Sequence, residues 1–366
     1  MRHEPVYEKL TEALSMRGGG IPVIKCPELY ALLRELFTPD EAALASQMAM
    51  NPMSAADLAA ELGRDPGEVE RLLEGMANKG LVLSRERGGV NHYILMQVVP
   101  GIFEYQFMKG EVNDRAKRLA HLFEDYTTVR KEAARKRRAA VNFPFARVIP
   151  VEVEISASVE IQPYDRVSHY IENSEYIALG TCFCRHYGEL LGRPCDKPKD
   201  TCMFFGPSAK FIAERGFGRL LPKKEALEVL DRAEKAGLVH CASNTGKYIE
   251  FICNCCACHC GILQSIKNAA TPSEAATSGF IMTVDEEKCI GCAACVDRCQ
   301  MEALSMRDNI VVRDAERCIG CGLCVSACPT EALRMEPRRD RPLPLRDRDS
   351  LNAALRASLK TDPPSS

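Results

Sequence analysis

No stretch of the chain comes near the ~18 consecutive apolar residues that a membrane-crossing helix needs, so membrane insertion is not expected. An excess of one charge is missing as well: Lys+Arg 48 against Asp+Glu 50 leaves a net charge of -2. That balance excludes a chain-wide basic surface of the kind nucleic acid attracts, though not a local patch. The opening residues Met1-Arg2-His3-Glu4-Pro5 lack the apolar core of a secretory signal, so a cytoplasmic location is expected. No P-loop or dinucleotide fingerprint is present, and Gly216-Phe217-Gly218-Arg219 imitates a phosphate loop only superficially. The histidines lack H-E-x-x-H spacing, and no Ser/His/Asp or paired-carboxylate arrangement emerges. Before position 180 there is one cysteine, Cys26.

What the chain does contain is cysteine: 19 in 366 residues, all but Cys26 after position 180. A secreted disulfide scaffold would be short and carry a signal, so clustered thiols here read as metal ligands. The length predicts two or three domains, and 46% hydrophobic with 27% charged residues predicts folded ones.

Residues 1–39 read as a helical entry segment, interrupted by Gly18-Gly19-Gly20. In 40–112, Leu44 and Met48 mark a first helix, and Ser54-Ala55-Ala56-Asp57 resembles a capping box that opens a second. Asp65-Pro66 starts a third, with Val69, Leu72, Leu73 and Met76 at helical spacing and Gly80 as its stop. Extended stretches Leu81–Arg85 and Val90–Met96 follow around Arg87-Gly88-Gly89, and the whole resembles a winged helix-turn-helix. Its third helix carries Glu68, Glu70 and Glu74, which would meet phosphate unfavourably; a protein-docking or scaffold role is expected rather than DNA reading. Residues 113–180 hold a long basic helix, over 113–140, and connecting strands, with Val148–Ile161 alternating. The helix suits solvent or an acidic partner. A cysteine-rich domain spans 181–268, with a helix at Lys223–Ala236 and strands at Leu238–Ala242 and Tyr248–Ile252. Small polar residues make 269–279 a linker, and the Arg/Asp/Pro-rich tail 337–366 is expected to stay disordered.

Residues 280–336 contain an internal repeat at an offset of 29 residues. Cys289, Cys292, Cys295 and Cys299 match Cys318, Cys321, Cys324 and Cys328, and Glu302-Ala303-Leu304 matches Glu331-Ala332-Leu333. Each half reads C-x2-C-x2-C-x3-C, and the second ends in Cys328-Pro329. Gln300 stands where that proline would be in the first half. The run resembles a bacterial two-cluster ferredoxin, in which the fourth cysteine of each half ligates the other cluster. The resemblance implies one [4Fe–4S] cluster on Cys289, Cys292, Cys295 and Cys328, and a second on Cys318, Cys321, Cys324 and Cys299. Gly291, Gly320 and Gly322 leave the loops free to wrap, and Ile290, Val296, Ile319, Leu323 and Val325 would keep water away. Zinc fits poorly here, because zinc motifs separate their cysteine pairs by a longer loop.

The middle cysteines are harder to group. Cys182, Cys184, Cys195 and Cys202 make one candidate set; Cys253, Cys255, Cys256 and Cys258 make another, and the two can be mixed. If extended, Cys182-Phe183-Cys184 puts both thiols on one side, and the 253–260 run puts Cys256, Cys258 and Cys260 opposite Cys253 and Cys255. An additional iron–sulfur cluster leads the readings, followed by structural zinc, a dithiol redox site and unliganded cysteines. His186 and His259 adjoin cysteines and are weaker candidates, while isolated Cys26 and Cys241 read as core.

The whole layout also resembles a group of prokaryotic 4Fe-4S binding proteins. The match rests on a helical start, Cys182-Phe183-Cys184-Arg185, Ile252–Cys256 and the terminal ferredoxin-like region. The expected fold is therefore α+β and multidomain: winged-helix-like, then cysteine-rich α+β, then a ferredoxin-type ββ/α pseudo-repeat. The resemblance implies low-potential electron transfer with a redox protein partner. A cluster-based redox-sensing regulator and a small-molecule oxidoreductase acting at the middle cysteines are the rivals. Nothing in the sequence bears on oligomeric state.

Overall fold

The computed structural model describes residues 5–17, 23–137, 145–152, 165–340 and 343–360. The glycines at 18–20, Pro144, most of the Val148–Ile161 segment and the closing Pro-Pro-Ser-Ser lie outside the described residues. What is described is an α+β architecture of several parts.

Side-chain caps set the helix starts of the N-terminal part. Thr38 and Glu41 form a reciprocal capping box that opens Pro39–Ala45. Ser54 opens Ala55–Leu62 as expected, its hydroxyl oxygen accepting from the Asp57 N–H at 3.0 Å. The box stays incomplete: the shorter Asp57 carboxylate accepts from the Ser54 hydroxyl at 2.6 Å instead of reaching the Ser54 N–H. Asp65 caps Pro66–Asn78, which buries Val69, Leu72, Leu73 and Met76. Strands Val82–Arg87 and Val90–Leu95 pair around Gly88 and Gly89, whose φ of 59° and 80° give the left-handed turn such a hairpin requires. Met53–Ser54 adds a third strand against Tyr93 and His92.

The Asp114–Arg137 helix is less free than its charge suggests. Phe123 joins an edge-to-face aromatic cluster with Phe103 and Phe107, which also contacts Tyr187. Glu124 accepts from the Tyr187 hydroxyl at 2.5 Å and from Arg193 at 2.9 Å. At its other end Arg118 lies 3.6 Å from Glu35.

The middle part is a six-stranded sheet. Its spatial order is Ala146–Val148, Val239–Ser243, Phe251–Cys255, Cys202–Phe205, Ile177–Gly180 and Gly218–Leu220, with antiparallel neighbours throughout. Ile171, Ile177, Met203, Val229 and Ile252 fill one core beneath it. Helix Lys223–Lys235 matches the expected element, while the second expected strand lies three residues further on, at Phe251–Cys255.

In the C-terminal part Phe280–Val284 pairs with Leu333–Pro337, and Leu304–Arg307 with Ile310–Arg313. The segment expected to be a linker is docked: Pro272–Ala275 is helical, Ala276 accepts from the Val148 N–H, and Ser273 donates to Glu316. The tail also departs from expectation. Arg348–Lys360 forms a helix that buries Leu351 and Leu355, and Arg348 bonds Glu250. Apolar residues at 351 and 355 give it a helical stripe that composition alone concealed. Among the described residues no helix is long and apolar enough to cross a membrane.

Candidate metal centres

Two backbone loops set the C-terminal cysteines. Gly291 and Gly320 take φ of 71° and 63°, and a Cβ at Gly320 would lie 1.9 Å from the Phe280 carbonyl oxygen. Each loop turns its sulfurs inward. Cys289, Cys292, Cys295 and Cys328 line one cavity with Met306, Val311 and Leu333. Cys299, Cys318, Cys321 and Cys324 line a second with Val239, Ile319 and Leu323. The last cysteine of each half thus sits with the first three of the other. The Ala303 N–H donates to the Cys299 sulfur, and the Ala332 N–H to the Cys328 sulfur, both at 3.3 Å. Burial pushes the Cys321 thiol up to about 12 and the Cys324 thiol well above its ordinary value. Four sulfurs around an apolar cavity, with backbone N–H groups aimed at sulfur, fit an iron–sulfur group. The cavities differ in setting: Cys292 is exposed and Ile290 is 65% exposed at the first, whereas the second abuts Val239 of the middle sheet.

Gln300 joins the second cavity to the middle cysteines. Its Oε1 accepts from the Ala257 N–H at 2.6 Å, and its Nε2 donates to Gly237 and to the Cys255 carbonyl at 3.2 Å. Arg298 adds hydrogen bonds to the Glu234 and Lys235 carbonyls, and Lys267 pairs with Glu302 at 2.6 Å.

The middle cysteines divide in a way neither expected set contains. Cys182 hydrogen-bonds Cys202, Cys202 bonds Cys253, and Cys253 bonds Cys255. Cys255 contacts Cys241 and lies 2.9 Å from Cys260, which also bonds Cys184. Strand register builds this group, setting Cys241 opposite Cys253 and Gly180 opposite Cys202. The hydrogen bonds from Cys184 and Cys255 hold Cys260 well below the usual thiol range, while Cys184 is pushed well above it by its bond to Cys260 and by burial. Buried Arg185 lies beside the group, donating to the Asn254 carbonyl at 3.0 Å and the Thr201 hydroxyl at 2.5 Å. Burial pulls its guanidinium down, but the sulfurs of Cys182, Cys202 and Cys256 outweigh that and hold it above its ordinary value.

The other three middle cysteines meet elsewhere. Cys195, Cys256, Cys258 and His259 each bring one potential ligand atom within 4.8 Å of the rest. The alternating face expected for 253–260 does not form, because the strand ends at Cys255 and the chain turns through Ala257–His259. That turn sends Cys256 and Cys258 one way and returns Cys260 to Cys255. Cys182 and Cys184 likewise do not share an extended edge, since Cys182 immediately precedes helix Phe183–Leu190 and Cys184 lies within it. Cys241, Cys260 and His259 were absent from both expected sets. The thiol density of 253–260 signalled Cys260, but nothing local marked Cys241. His186 stays apart, its ring bonded to Glu189 and the Glu111 carbonyl.

Residues 282–335 match the 4Fe-4S dicluster domain family. No curated protein and no solved structure matches the chain. The match and the candidate cluster of the middle region characterise an iron–sulfur, metal-binding protein with a C-terminal 4Fe-4S dicluster domain.

Proposed function

We propose that this chain is an electron-transfer protein or subunit that binds two [4Fe–4S] clusters. One is held by Cys289, Cys292, Cys295 and Cys328, the other by Cys318, Cys321, Cys324 and Cys299. The observation that carries the reading is the crossed sharing of the two cavities, three cysteines from one half and the fourth from the other. When bound, such clusters take up and release single electrons at low potential. The protein's own residues do the rest: apolar side chains exclude water, and the Ala303 and Ala332 amides donate to sulfur. A further iron–sulfur centre is assigned to the clustered thiols of Cys182, Cys184, Cys202, Cys253, Cys255 and Cys260, all buried except the half-buried Cys184, with Gln300 fixing the second C-terminal cavity beside them.

A redox protein partner is the proposed correspondent, meeting the exposed edge at Ile290 and Cys292. The N-terminal helices and hairpin are read as a winged-helix-like docking module. Arg215 supports this over DNA reading, because it grips Glu74 of the third helix through both carboxylate oxygens, at 2.5 and 2.9 Å. A reducing cytoplasm suits so many clustered thiols.

The test is anaerobic purification with iron and acid-labile sulfide counting and electron paramagnetic resonance after reduction. About twelve irons per chain are expected, and about eight would confine iron to the C-terminal pair. Colourless protein without a cluster signal overturns the reading.

A further inference from the structure

We infer that Cys195, Cys256, Cys258 and His259 form a separate site for a single tetrahedral zinc ion, with His259 ligating through Nδ1. The sulfur of Cys195 lies 4.0 Å from that of Cys256 and 3.6 Å from that of Cys258. A tetrahedral ion with bonds of about 2.3 Å places its sulfurs about 3.8 Å apart, midway between these separations. A disulfide needs about 2.05 Å, so neither pair is one.

The histidine is oriented for the same task. Its Nε2 bonds the Arg193 carbonyl at 2.8 Å, which makes Nε2 the protonated nitrogen and leaves Nδ1 with a free lone pair. Nδ1 is buried and has no hydrogen-bond partner. A buried acceptor left unpaired is costly unless something binds it. The fold makes room for this ring at one place. A Cβ at Gly188 would lie 2.2 Å from His259 Cδ2 and 2.5 Å from its Nε2, so the ring rests on helix Phe183–Leu190 where the side chain is missing. Arg193, whose N–H donates to the Gly188 carbonyl at 2.8 Å, is tied to the same turn. Three thiolates and a neutral imidazole are a zinc donor set, and four protein ligands close the coordination shell, as in a structural site. The ion would pin the 193–195 loop to the turn that follows strand Phe251–Cys255.

The experiment measures zinc, iron and sulfide per chain on the full-length protein purified without oxygen, with zinc-edge X-ray absorption. About one zinc per chain is expected, with three sulfurs near about 2.3 Å and one nitrogen near about 2.0 Å. His259→Ala and Cys258→Ser should lose the zinc and keep the full iron and sulfide content; His259→Cys should retain it with four sulfurs. Gly188→Ala, which pushes the ring aside, should weaken zinc about 10- to 100-fold in competition with a chelator. Because wild-type protein alone reports the ligand shell, misfolding of a variant does not blunt the test. Iron with no zinc, an all-sulfur shell in wild type, or zinc indifferent to His259 overturns the inference. None of these outcomes depends on the clusters proposed above.

Discussion

Gln300 stands where the second half of the repeat has Pro329, and its side chain explains the exchange. A proline there could not reach the Ala257 N–H or the Gly237 and Cys255 carbonyls. Gln300→Ala leaves buried backbone groups short of partners at a cost of about 1–3 kcal/mol. The expected result is a lower denaturation midpoint and faster hydrogen exchange at Ala257, with iron content unchanged. Glu104 makes a second prediction. Its carboxylate accepts from the Gly101 N–H at 2.5 Å, yet burial raises it from an ordinary 4.5 to about 7. Between those values the folded chain holds a proton that the unfolded chain has released. Stability therefore falls as pH rises from about 4.5 through about 7, and stays lower above that. Glu104→Gln, neutral throughout, should flatten that slope in denaturation midpoints compared at about pH 6 and about pH 8.

Among the elements, the terminal helix Arg348–Lys360 has the clearest consequence. The strand-like residues before it accept from the middle part, the Gly246 N–H bonding the Leu345 carbonyl at 2.7 Å and the Lys247 N–H that of Arg346 at 3.0 Å. Leu351→Ala removes a fully buried side chain, which costs about 2–5 kcal/mol in comparable cores. Faster exchange at Gly246 and Lys247, ahead of the strands of the central sheet, is the expected signature. The hairpin and its capped helices were legible in the sequence because caps, glycine turns and helical spacing act within a few residues. The terminal helix was missed because arginine, aspartate and proline dominate its neighbourhood, while two leucines a helical turn apart supply its anchor.

For the whole molecule, ion pairs and hydrogen bonds tie the parts together: Arg215 to Glu74, Arg193 to Glu124, Arg298 and Gln300 to the middle part. The third helix of the N-terminal part is held by one of these contacts, and its outward side carries Glu68 and Glu70. A salt-dependent gel-shift assay is expected to show no sequence-preferring DNA binding in either the reduced or the oxidised state. Sequence-preferring binding would redirect the reading toward a regulator.

By itself the sequence marked the eight C-terminal cysteines as two equal runs, because thiols two or three residues apart are set by one loop, while their crossed grouping was what the ferredoxin resemblance implied. It determined the capped helices and the Gly88-Gly89 turn for the same reason of short range. Tertiary structure alone decided which middle cysteines meet. Cys241 reaches Cys255, and Cys195 reaches Cys256 and Cys258, through strand register and a turn at 257–259. Those contacts join residues up to 63 positions apart, a separation that local spacing does not encode and that only the folded chain closes.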